Sequence, residues 1–269
     1  MTMLYTFHEN FEVNEMEMQY EPTRTSFTPT VRQNSKIHLF TEKICRPSFR
    51  RILLRPRLSK MLEKSSEQFG ATLLLGRAGT GKTALAVDYS QNYENIAWYS
   101  IESVDRDWKV FSKYFEASFE ELSKPRSEQE NSFGQDISSK NVSYFVENMF
   151  ARLAEKENGK QRLIVLDNAH NVFDSPWFTD FFHSLVCSLT PNNHLLVLSR
   201  SQPPLPLWRL RSKQALGVVN EKLLLFNSVE TDELFENLGL SKEKANHALG
   251  VSFGRISKLK EISEAYLRQ

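Results

Sequence analysis

Short apolar runs alternate with longer amphipathic stretches through most of the chain. Ala71-Thr-Leu-Leu-Leu75, Ile96 to Ile101, Leu163-Ile-Val-Leu166, His194-Leu-Leu-Val-Leu-Ser199 and Lys222-Leu-Leu-Leu-Phe226 are continuous apolar segments. Such runs predict strands buried on both faces. Between them, Arg57 to Glu67 carries Leu58, Met61 and Leu62 on one side, and Thr83 to Asn92 follows as a second helix. Asp107 to Leu122 places Trp108, Phe111, Phe115, Phe119 and Leu122 at spacings of three and four, a core-facing stripe rather than a ligand box. Helices are also expected from Val142 to Lys156 and from Trp177 to Leu189, the latter with Ser175 as N-cap and Pro176 opening its first turn.

Beyond Phe226 only helical patterns remain. Ser228 is expected to cap one ending near Gly239, Ser241 a second, and Gly254 to Leu267 is a third. The chain therefore predicts an α/β fold: a mostly parallel five-stranded sheet sandwiched by helices, followed by a small helical lid. Three parts are expected: a polar extension over 1–40, partly disordered, a main domain over 41–226 and the lid over 227–269. Lys124 to Lys140, rich in Ser, Glu and Gln, reads as a mobile excursion. No internal repeat is visible.

Composition narrows the partners. The 269 residues are 40% hydrophobic and carry a net charge of +1, so nothing at the whole-chain level demands nucleic acid or an anionic surface. The charge is unevenly placed: residues 1–23 hold five glutamates and no Lys or Arg. Arg46, Arg50, Arg51, Arg55, Arg57 and Lys60 form a basic run that reads as a solvated helix face. Cys45 and Cys187 lie far apart, with neither metal-ligand spacing nor a disulfide framework, which fits a reducing, cytoplasmic setting. No apolar stretch approaches the roughly 20 residues of a membrane span.

Gly76-Arg-Ala-Gly-Thr-Gly81-Lys82-Thr83 matches GxxxxGK[ST] in full, and it lies between an expected strand and an expected helix. In this pattern glycines let successive N–H groups turn inward around phosphate oxygens, and the helix dipole points at the same anion. Gly76, Ala78, Gly79, Thr80, Gly81, Lys82 and Thr83 are thus the expected nucleotide-binding residues. Lys82 would reach the β- and γ-phosphates, and the Thr83 hydroxyl would sit on Mg²⁺. Arg162-Leu-Ile-Val-Leu-Asp167 supplies a second element, a carboxylate at the end of a buried strand neighbouring the phosphate loop, suited to magnesium. Asn168 stands where many such ATPases carry a second acid, and an amide cannot take up a proton as a carboxylate does. Binding of ATP is therefore expected to exceed its hydrolysis. Arg200, at the tip of the next strand, would sense the γ-phosphate or steady charge during transfer.

With these pieces in place, the chain from about Thr41 onward resembles the nucleotide-binding module of the maltose-regulon-activator-like, large LuxR-type regulators, within the signal-transduction ATPases with numerous domains. The resemblance is carried by Arg55-Pro-Arg-Leu58, the phosphate loop, Ala97-Trp-Tyr-Ser100, Leu166-Asp-Asn-Ala-His170, Leu198-Ser-Arg200 and Leu225-Phe226. It implies the P-loop NTPase fold, with ATP and Mg²⁺ as ligands and a switch between resting and self-associating states. It also implies Arg57 near the nucleotide, Lys82, Asp167 and Arg200 in catalysis, and Thr83 and Asp167 on the metal. Asn168 departs from that pattern, and Gly254-Arg255-Ile256 lacks the proline of the family's Gly-x-Pro step in the lid.

The expectation is an ATP–Mg-binding regulatory module, linked to transcriptional regulation, that associates with itself or with a partner regulator. Neither a membrane nor direct DNA binding is expected. The alternative is an ATP-hydrolysing enzyme, a motor-type ATPase or a small kinase.

Overall fold

Five strands, β1 (Ala71–Leu75), β2 (Asn95–Ser100), β3 (Arg162–Asp167), β4 (Asn193–Ser199) and β5 (Leu216–Val219), form one sheet in the order β2-β3-β4-β1-β5. Every pairing is parallel. The computed structural model describes residues 40–49, 53–119, 139–155, 159–204, 209–210 and 215–268. The expected extension, apart from Phe40, and the polar excursion before Ser139 lie outside the described residues.

Strand pleating sends successive side chains to opposite faces, and both faces are covered. Ile164 and Leu166 of β3 and Leu195 and Val197 of β4 enter one core. Their neighbours Leu163, Val165, Leu196 and Leu198 enter the other. The first core is closed by α3 (Trp108–Ala117), α4 (Ser139–Ala154) and α5 (Phe178–Ser188). Here the aromatic stripe of α3 meets Trp177 and Phe181, with Phe111 and Trp177 ring centres 4.4 Å apart and Phe115 edge-on to Phe181 at 5.0 Å. Such pairs add about 0.5–1.5 kcal/mol beyond area burial. The second core is closed by α1 (Pro56–Gln68) and α2 (Lys82–Ser90), through Leu58, Leu62, Leu85 and Tyr89.

The fifth strand is not where the apolar pattern placed it. Lys222 to Phe226 is no strand: Asn220 accepts from Leu223 N and caps a short helix, α6 (Glu221–Leu224). The edge strand is Leu216–Val219, and Gly217 within it hides the β signature. A Cβ at Gly217 would stand 2.3 Å from Ser65 Oγ and 2.8 Å from a Phe69 ring carbon, so only glycine lets β5 run under the end of α1.

Three helices follow: α7 (Ser228–Glu236), α8 (Lys242–Ser252) and α9 (Ile256–Leu267). They share a small apolar cluster of Phe226, Phe235, Ala245, Ala248 and Leu259. Asn227, not Ser228, caps α7, in a reciprocal box with Glu230, while Ser241 caps α8 as expected. Ser175 does not cap α5: its Oγ is buried without a partner, and α5 starts after Trp177. Among the described residues, no helix is long and apolar enough to cross a membrane.

Candidate functional site: the phosphate loop and its surroundings

The loop from Gly76 to Gly81 leaves β1 and enters α2 directly. Gly76 N donates to Ser199 O, fastening the loop's start to β4. Gly79 and Gly81 take φ of +75° and +86°, the left-handed region that side chains penalise, so these two positions require glycine. Gly81 is also the N-cap of α2, which puts the positive end of that helix at the loop. Ala78 and Gly79 lie exposed on the rim, whereas Thr80 is buried and its hydroxyl donates to Arg77 O.

Lys82 folds its ammonium back along the loop, donating to Gly76 O at 2.5 Å, Arg77 O at 3.0 Å and Thr80 Oγ1 at 3.4 Å. Burial holds its pKa below the ordinary lysine value, and the Arg200 guanidinium acts in the same direction. Thr83 Oγ1 donates to Asp167 Oδ2 at 3.0 Å. The Asp167 carboxyl is pushed up by burial, against the pull of the Thr83 hydrogen bond. A hydroxyl and a carboxylate side by side are the hard oxygen donors that suit Mg²⁺.

β4 runs between β3 and β1, yet Asp167 at the end of β3 still reaches the start of α2 through Thr83. This interposed strand is what delivers Arg200. Its exposed guanidinium, one residue past β4, acts electrostatically on Lys82, Asp167 and His170. His170 lies in the 3₁₀ turn Ala169–Asn171, with Nδ1 buried and unpartnered. Its pKa is held down by burial, then by the charges of Arg200 and Lys82. Asn168 adopts φ 57°, ψ 36°, a left-handed conformation that an Asn or Asp side chain tolerates better than most.

Lys82, Thr83, Asp167 and Arg200 are thus brought together. Arg57 is not brought to them by any contact among the described residues: its guanidinium donates to both Glu230 oxygens and to Leu223 O and Leu225 O. Arg55 makes the matching set with Glu230, Leu224 O and Leu225 O, and stacks 4.0 Å over the Phe226 ring. Within the basic run Arg55, only 6% exposed, and the half-buried Arg57 are therefore not solvated, whereas Arg46 and Lys60 are exposed as expected and Arg50 and Arg51 lie outside the described residues. Glu230 is held below the usual carboxylate range: burial works upward, but the two guanidiniums prevail.

Residues that sequence reasoning missed line the mouth of the loop. Glu221 accepts from Arg77 N at 3.1 Å and from Arg77 Nε, and Arg255 reaches the same carboxylate at 3.5 Å. Ser257 N donates to Gly79 O, which brings the first turn of α9 onto the loop. Nothing local in the sequence marks Glu221 or Ser257, because both partners are far away along the chain.

No family model matches this chain. Its sequence is 25% identical over 209 residues to the HTH-type transcriptional regulator MalT of Vibrio cholerae, covering 76% of this chain and 23% of that protein. The MalT of Vibrio campbellii is 22% identical with the same coverage. The chain thus spans about a quarter of the length of these curated relatives. In fold it is similar to the signal-transduction ATPase with a tetratricopeptide-repeat sensor of Pyrococcus horikoshii, with a TM-score of 0.52, 17% identity, and coverage of 86% of this chain and 32% of that one. It is also similar to a Walker-type ATPase of Pyrococcus abyssi, with a TM-score of 0.51, 14% identity, and coverage of 81% and 68%. The chain has the P-loop NTPase fold and is similar to the nucleotide-binding module of MalT-like regulators within the signal-transduction ATPases with numerous domains.

Proposed function

We propose that this chain is an ATP–Mg-binding switch module of a transcription regulator's kind, acting through nucleotide-dependent association with itself or with a partner regulator. The observation that carries this reading is the contact between Thr83 and Asp167 beside Lys82, with Arg200 close enough to act on both charges. In this assignment the loop amides, Lys82 and Arg200 hold the triphosphate, and Thr83 and Asp167 hold the metal. ATP with its magnesium supplies the ligand charge that the clustered cations would neutralise. The C-terminal helices act as a lid, because Ser257 and Arg255 approach the loop that nucleotide would fill. Arg57 acts here through the lid, fixing it to α1, rather than on the nucleotide. A cytoplasmic setting fits ATP as ligand.

Calorimetric titration of ATP with and without Mg²⁺ tests the reading. The expected result is Mg²⁺-dependent binding that Lys82→Ala abolishes; equal affinity in the variant overturns it. Sizing the protein with ADP and with a non-hydrolysable ATP analogue tests the switch, since association should appear only with the triphosphate.

A further inference from the structure

A second constructed site lies beyond the nucleotide residues. Segment 40–46 carries a 3₁₀ turn, Thr41–Lys43, and Lys43 inserts into the body at the end of β2. Its ammonium donates to Asp105 Oδ1 at 2.7 Å and Oδ2 at 2.9 Å, and lies 3.3 Å from Glu102 Oε2. It also sits 4.4 Å from the centre of the Tyr114 ring and 5.9 Å from that of Tyr99. Asp105 is 0% exposed and Lys43 8%. Tyr99 is buried as well, with its hydroxyl beside Asp105.

Two carboxylates and two aromatic faces around one ammonium are the acceptor set that recognises a protonated primary amine. Asp105 is fully buried, so an empty site would leave its charge uncompensated, with the Glu102 amide as a hydrogen-bond partner. The site is also wired inward. Asp105 Oδ2 accepts from Glu102 N at 2.7 Å, the adjoining Ile101 N donates to Asp167 O at 2.8 Å, and Asn171 Nδ2 donates to Ile101 O.

We propose that Asp105, Glu102, Tyr99 and Tyr114 form a primary-ammonium site filled by the chain's own Lys43, and that its occupancy sets the backbone support under Asp167. The occupant is separable from the site, so a small alkylammonium can take its place when the side chain is removed. The link to Asp167 rests on the nucleotide reading given above; the ammonium site does not.

The test is the full chain carrying Lys43→Ala, in which n-propylammonium replaces the missing atoms. Its melting temperature should fall below that of the wild type and recover saturably with n-propylammonium chloride. Tetramethylammonium or sodium chloride at equal ionic strength should leave it low, and Asp105→Asn in the same background should abolish the recovery. Melting that responds no more to n-propylammonium than to the salt controls overturns the site. If Lys43→Ala does not fold unaided, refolding yield replaces melting: a higher yield in n-propylammonium than in the control salts supports the site, and equal yields overturn it. Mg²⁺–ATP affinity is the separate arm. It should drop several-fold in the variant and return with n-propylammonium; affinity indifferent to occupancy overturns the coupling. A wild-type chain that binds no ATP at all would remove the nucleotide reading while leaving the amine rescue intact.

Discussion

Thr83 Oγ1 donates across 3.0 Å to Asp167 Oδ2, joining residues 84 positions apart on elements whose strands are not neighbours. The intervening β4 pairs with both strands, so the threonine at the start of α2 spans the gap. Under the proposed function a hydroxyl placed there would serve the metal more than the phosphate. Thr83→Ala should therefore cut the Mg²⁺-dependent gain in ATP affinity by about tenfold, roughly 1.4 kcal/mol. Titration in EDTA should show little difference between variant and wild type; an equal loss in both conditions would contradict the metal role.

Asp167 carries a cost when ionised. Burial raises its folded-state pKa above that of the unfolded chain, so the native protein takes up this proton at higher pH and the carboxylate form weakens the fold at neutral pH. The cost shrinks as pH falls through the folded value. Asp167→Asn should melt higher than wild type at pH 7, with the gap closing on acidification, while Mg²⁺-dependent binding is lost. A variant that melts lower at pH 7 would show that the Thr83 hydrogen bond outweighs desolvation.

His194 predicts the opposite slope. It is 5% exposed, with Nε2 at 3.1 Å from Thr72 Oγ1, and burial lowers its pKa from 6.5 to about 4. The unfolded chain binds this proton first, so stability present above pH 6.5 is lost as pH falls toward 4. At about 1.36 kcal/mol per unit the total is about 3 kcal/mol. Denaturant titrations across this window should flatten in His194→Gln.

Asn168 separates backbone from chemistry. Both Asn and Asp accept its left-handed backbone. Asn168→Asp should thus fold normally and raise the rate of ATP hydrolysis, whereas Asn168→Ala should cost about 1 kcal/mol of stability without raising turnover. Phosphate release assays and melting curves on the two variants distinguish them; brisk hydrolysis in the wild type would remove the argument from the missing acid.

Phe253 sits at φ 51° with 79% of its surface exposed, next to Gly254 at φ 76°. A bulky side chain in that region costs on the order of 1 kcal/mol, and little burial offsets it. Phe253→Asn should stabilise the C-terminal helices by about that amount, readable as slower hydrogen exchange over 242–267.

Much of this was legible in the sequence, for a physical reason. The phosphate loop is contiguous, and its glycines, lysine and threonine must be adjacent to work, so the motif survives reading in one dimension. The places of Asp167 and Arg200 were legible because one ends, and the other directly follows, a strand whose apolar run is visible. β5 was not, because packing under α1 demanded Gly217 in place of a β-former, while Lys222 to Phe226 offered a better strand pattern that the Asn220 cap converts to helix. Lys43 with Asp105 and Arg77 with Glu221 stand 62 and 144 residues apart, and no periodicity marks such pairs. Arg55 and Arg57 looked like solvated charge because their shared partner, Glu230, lies beyond the whole sheet in sequence.

Ser257 occupies the space that any side chain on residue 79 would need, since a Cβ there would stand 2.4 Å from its Oγ. Loop and helix are seated in one another, so neither can shift far alone. The helix that begins at Ile256 has 12 residues, about 18 Å at 1.5 Å per residue, and a small tilt at its seated end becomes a larger sweep at Leu267. A missing methyl group thereby gives this fold a lever, with its fulcrum at the most crowded point of the glycine-rich turn and its long arm running to Leu267.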